Sequence, residues 1–81
     1  MEVFVLSTLD VIDFDDYSSV RVFSTEEKVK DAFDKYVSNV KENIKGEKWI
    51  IEESEGEFYA FHEYNYAENY VRASIQKLNI E

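Results

Sequence analysis

Cysteine is absent from this 81-residue chain, which excludes a disulfide framework, a thiolate nucleophile and Cys-type zinc or iron–sulfur sites. Proline is absent and glycine occurs only twice, and no repeat, low-complexity tract or linker interrupts the chain. No apolar run approaches the ~18 residues of a membrane span. The opening MEVFVLSTLDVIDFDD has no basic region ahead of its apolar stretch, so the expectation is a cytoplasmic protein without a secretory signal. Positive charge is scarce, with 9 Lys and Arg against 18 Asp and Glu and a net charge of −9. That balance argues against direct binding of nucleic acid or acidic membranes, because both depend on Lys and Arg neutralising phosphates. A glycine-rich phosphate loop and a nucleophile motif are missing, and His62 is the single histidine.

What is present is enough to fold. Hydrophobic residues make up 44% and aromatics 16% of the chain, well beyond the composition of a disordered segment. The length fits one small domain, residues 1–81. Residues with AT-rich codons, such as Phe, Tyr, Ile, Asn and Lys, far outnumber Gly, Ala, Arg and Pro, as expected of an AT-rich genome.

The β-branched and aromatic alternation of Glu2–Leu9 predicts an interior strand apolar on both faces. Asp10–Ser19 has the Asp and Ser content of a loop, and Val20–Phe23 reads as a short strand returning on the first, in a hairpin with a long tip. Ser24 followed by Glu27 fits a capping box. Val29, Ala32, Phe33, Tyr36, Val37, Val40 and Ile44 then recur at steps of three and four, and Gly46 supplies a left-handed stop, giving a helix over about 25–45. Replacing Phe33 of that stripe by Ala is expected to cost ~3–5 kcal/mol. Glu47–Glu53 and Glu57–Tyr64 alternate as two antiparallel strands around the Ser54-Glu55-Gly56 turn. Asn65–Asn69 is a polar turn, and Tyr70–Ile80 is a last strand whose phase slip suits a bulge near Gln76–Lys77. The expected fold is α+β, an antiparallel sheet with one helix on one face, in the order ββαβββ.

Charge is regional. The helix segment is neutral, with Glu26–Lys30 and Asp31–Lys35 at four-residue spacing, and the negative charge falls on the 10–16 loop and the 47–68 hairpin. The Asp10–Asp16 run offers hard oxygen ligands but lacks the glycine and glutamate that a calcium-binding loop requires, so a solvated acidic loop is the plainer reading. His62 beside Glu63 forms a His–carboxylate pair without an accompanying nucleophile. Neither a catalytic residue, a metal site nor a cofactor is expected. The run Phe58–Tyr70 holds six aromatics interleaved with Glu63 and Glu68. That pattern suits core plus a protein-binding surface, since Tyr is enriched in interface hot spots.

The strands are apolar on both faces, yet one helix can cover only one of them. A partner or a second copy is expected on the other, with Phe4, Leu6, Ile50, Tyr59 and Phe61 as candidates for that second face. In size, composition and element order the chain resembles the short, acidic, Cys-free orphan proteins of bacteriophages and AT-rich Gram-positive bacteria. The resemblance implies an inhibitor that acts as a DNA mimic toward a host nucleic-acid-binding protein. Duplex DNA presents one charge per ~1.7 Å, whereas Glu53, Glu55 and Glu57 would stand ~6.7 Å apart in an extended strand, with Gly56 breaking the row. The expectation is a non-enzymatic protein-binding module contacting a basic partner through Asp13, Asp15, Asp16, Glu53, Glu55, Glu57, Tyr59, Phe61, Tyr64 and Tyr66. The alternative is a small enzyme or metal-dependent binding protein built on the Asp10–Asp16 loop or on His62 and Glu63.

Overall fold

Alternating apolar positions along five segments and one helical stripe build an α+β structure in the order ββαβββ. The computed structural model describes residues 1–46 and 48–80. Its elements are β1 (Glu2–Ile12), β2 (Asp15–Phe23), α1 (Glu26–Asn43), β3 (Trp49–Ser54), β4 (Glu57–His62) and β5 (Asn69–Asn79). The strands form one five-stranded sheet in the order β2-β1-β5-β4-β3, antiparallel at every junction. Both edges, β2 and β3, therefore belong to hairpins whose inner strands pair with the central β5.

Directly opposed residues of antiparallel strands share a face, so the register sorts the side chains. Phe4, Leu6, Ile75, Ala73, Val71, Phe58 and Ala60 fall on one face. Val29, Val37, Val40 and Ile44 of α1 are buried against that set in two adjoining clusters, and the partly buried Phe33 packs against both. The second face carries Val5, Leu9, Val11, Tyr70, Tyr59, Phe61 and Ile50. Phe4 and Leu6, expected there, lie under the helix instead, because strand alternation fixes which residues share a side but not which side a helix covers.

The expected loop over Asp10–Ser19 is mostly strand. β1 continues to Ile12 and β2 begins at Asp15, leaving Asp13 and Phe14 as a two-residue turn with φ of 51° and 74°. Two successive left-handed residues make a type I′ turn, whose twist matches that of the flanking strands. Asp15, Asp16, Ser18 and Ser19, which looked like loop, occupy an edge strand exposed almost throughout, where polar side chains cost little. An aromatic residue in the left-handed region is strained by about 1–2 kcal/mol, partly offset in a glycine variant by the unfolded freedom of Gly. Phe14→Gly is therefore expected to raise stability by about 0.5–1 kcal/mol in urea denaturation.

Two other boundaries differ from expectation. The helix cap is Thr25, whose side chain accepts the Lys28 N–H at 3.2 Å, one residue after Ser24. This spacing still satisfies the third helical amide. Register between β1 and β5 runs unbroken through Val5↔Gln76, Phe4↔Lys77 and Val3↔Leu78, so no bulge occurs. The phase slip reflects Leu78 facing the second side of the sheet while Lys77, opposite Phe4, reaches Glu2 at 3.2 Å. Glu26–Lys30 and Asp31–Lys35 pair as expected, at 3.0 and 3.2 Å. The strand start at Glu47 lies outside the described residues.

Candidate functional site

One end of the sheet collects exposed aromatic and acidic side chains. The tight turn carries Asp13 and Phe14 at the tip of the β1–β2 hairpin, with Asp15, Asp16 and Tyr17 just beyond it. The β4–β5 connection packs beside them: the Phe14 N–H donates to the Glu68 carbonyl at 3.4 Å, and the Asp13 N–H to Asn69 Oδ1 at 3.2 Å. The connection is itself a closed turn, with the Glu68 and Asn69 amides donating to the Asn65 carbonyl. Phe14 is 72% exposed, and Tyr17, Tyr64 and Tyr66 are exposed to a similar degree. Lys48 stacks over the Tyr64 ring at 5.2 Å.

A cavity of about 530 Å³ opens at the same end, between the last turn of α1 and the sheet. Asp10, Asp13, Asn43, Trp49, Asn65 and Asn69 are among its lining residues. Asp10 is held in place by the Tyr36 hydroxyl, which donates to its Oδ1. Burial, and secondarily this bond to a carboxylate, push the Tyr36 phenol far above its ordinary range.

His62 has a local structural job. Its Nδ1 accepts the backbone N–H groups of Tyr64 and Asn65, both at 3.2 Å. The ring stands edge-on to Trp49, 5.9 Å between centroids, and Glu63 continues the chain by donating its N–H to the Lys48 carbonyl. Among the described residues no three His, Asp or Glu side chains are placed to hold one metal ion.

The remaining expected contact residues lie elsewhere. Glu53, Glu55 and Glu57 surround the β3–β4 turn. Glu53 lies on the helix side of the sheet, paired with Lys41 at 2.7 Å, while Glu57, opposite Ser54, faces the other side. They do not form a row. Tyr59 and Phe61 lie on the second face with ring centroids 5.1 Å apart, next to Tyr70. Asp13, Asp15, Asp16, Tyr64 and Tyr66 are thus brought together at one end, and the other five are not. Phe14 and Tyr17 belong to that end and were missed by sequence reasoning. The signal available was the two-residue Asp-Phe interval between alternating runs, masked because a type I′ turn ordinarily carries Asn, Asp or Gly.

Comparison of the chain with models of protein families, with curated proteins and with solved structures finds no match. The end formed by the hairpin tip and the 63–68 turn is accordingly read from its own chemistry. No helix among the described residues is long and apolar enough to cross a membrane.

Proposed function

We propose that this chain is a non-enzymatic protein-binding module that engages a basic partner through the acidic, aromatic end of its sheet. The observation that carries the reading is the exposed Phe14, held in a strained left-handed turn between Asp13 and Asp15. A bulky apolar side chain at a hairpin tip, in a backbone conformation that favours glycine, is a cost to folding without any packing return. It suits an anchor that is buried only in a complex, with the surrounding carboxylates selecting Lys and Arg on the partner. Asp10 and Asp13 in the adjoining cavity give one such cation a place to dock.

In its sharper form the partner is a nucleic-acid-binding protein, and the acidic end occupies the groove that its phosphates would fill. The net charge of −9 supports that form. The dispersal of Glu53, Glu55 and Glu57 over two faces confines it to the Asp13–Asp16 end. The test is affinity capture from the native host with two baits, the wild type and the Asp13→Asn/Asp15→Asn/Asp16→Asn chain, at about 0.05 and 0.5 M salt, where the Debye length differs severalfold. A basic protein held by the wild type at low salt and released at high salt is expected, with association to the Asn bait slowed about tenfold and dissociation little changed. Association insensitive to both salt and the Asn substitutions would sink the electrostatic reading. Retention by Phe14→Gly would remove the anchor.

A further inference from the structure

From the sheet face opposite α1 we infer that a second copy of this chain packs against it, giving a two-fold dimer joined sheet to sheet. Among the described residues α1 is the single helix, and it packs on the opposite face. Val5, Leu9 and Val11 of β1, Tyr59 and Phe61 of β4 and Tyr70 of β5 lie on the inferred contact face, with Ser7, Arg72, Ser74 and Gln76 among them; Val5 and Val11 are already buried within the chain, and Leu9, Tyr59, Phe61 and Tyr70 are half-buried. At the two edges Val20 and Val22 of β2 are 69% and 63% exposed, and Ile50 of β3 is 42% exposed. Covering these edge side chains and the half-buried rings between them would remove apolar surface from water.

Three observations favour a second copy over a foreign partner. The first is size. The molecule measures 44 × 20 × 16 Å, and a slab of those long dimensions offers about the ~800 Å² per subunit that a standard interface uses. The second is charge. Although the chain carries −9, the sheet positions on this face hold only Asp16, Glu52 and Glu57 against Arg72. The acidity is thus displaced to the ends and the helix side. The third is self-complementarity. Arg72 lies 4.7 Å from the centre of the Tyr59 ring, beside a groove of about 600 Å³ whose lining includes Glu52 and Glu57. Two copies related by a two-fold axis can therefore set a cation against carboxylates in both directions. Tyr and Arg are also the residue types that dominate interface hot spots.

This dimer stands independently of the basic-partner reading, and salt separates the two. Both copies are acidic, so screening removes a repulsion, and dimerisation is expected to strengthen between about 0.05 and 0.5 M salt, the opposite of basic-partner capture. Light scattering coupled to size exclusion at tens of micromolar should give about twice the 9.6 kDa chain mass. Val22→Lys with Ile50→Lys, at sites exposed in the single chain, should weaken the dimer at least about tenfold while leaving circular dichroism and thermal unfolding of the monomer intact. Arg72→Glu is a second variant for which the same loss is expected. A mass of 9.6 kDa at high salt, or a dimer that tolerates all three substitutions, overturns the proposal; the first result leaves the face to a foreign partner, and the second moves the contact to another surface.

Discussion

Phe58→Ala is expected to unfold most of the protein at 25 °C. Phe58 is 2% exposed and sits where Val37, Val40 and Ile44 of the helix meet Ala60, Val71 and Ala73 of the sheet. Two of its sheet neighbours are alanines, which leave the space that the ring fills, so truncation opens a cavity. Loss of a buried Phe in such a setting costs about 3–5 kcal/mol, and a core of this size supplies a net stability of the same order. The measurement is the urea midpoint followed by far-ultraviolet circular dichroism. Val22→Ala, on the exposed edge strand, should stay within about 0.5 kcal/mol of wild type. A Phe58→Ala midpoint equal to that of the control would show that β4 does not carry the core. Phe33→Ala is expected to fall below the cost first assigned to it, because Phe33 joins the two clusters from a partly buried position and leaves a smaller void.

Most of this architecture was legible because two periodicities are strong. The α1 stripe from Val29 to Ile44 repeats at helical spacing, and β3, β4 and β5 alternate cleanly around Gly56 and the Asn65–Asn69 turn. What failed to show was the β1–β2 hairpin. Asp10, Asp13, Asp15 and Asp16 carry turn chemistry in isolation, but only Asp13 sits in the turn; Asp15 and Asp16 open an edge strand whose side chains reach water from either face, and Asp10 lies half-buried in β1. Propensity yields to pairing there: nine successive residue pairs from Phe4↔Phe23 to Ile12↔Asp15 hold the ladder. The same local conflict hid the candidate end. Sequence separated Asp13 from Tyr64 and Tyr66 by some fifty positions, and only the antiparallel run of β5 beside β1 brings the 63–68 turn against the hairpin tip. Conversely, Glu53 and Glu57 are neighbours in sequence yet lie on opposite sides of the sheet, because the turn between them places them across from Phe58 and Ser54.

The Asp10–Tyr36 contact joins the core to the acidic end, and breaking it should weaken both. Tyr36 projects from the middle of α1 and donates its hydroxyl to Asp10, a partly buried carboxylate in the last turns of β1. Tyr36→Phe removes the donor and leaves that half-buried carboxylate without this partner. The expected loss is about 1–3 kcal/mol, the range for stranding a charged acceptor. The pH dependence supplies an independent check. The phenol is pushed above its ordinary value of 10.0, first by burial and then by the bond to Asp10. As pH rises past about 10 the unfolded chain releases this proton while the folded chain keeps it. The unfolded state then binds fewer protons than the native state, so stability falls with rising pH; the contribution is complete below about pH 10 and is lost above it. The Phe variant lacks this ionisation in both states. Its stability deficit relative to wild type should therefore be constant from about pH 7 to 9 and shrink from about pH 10 to 11. A deficit that stays constant across the whole range would mean that Tyr36 releases its proton equally readily in both states, and that its hydroxyl does not hold Asp10 in place.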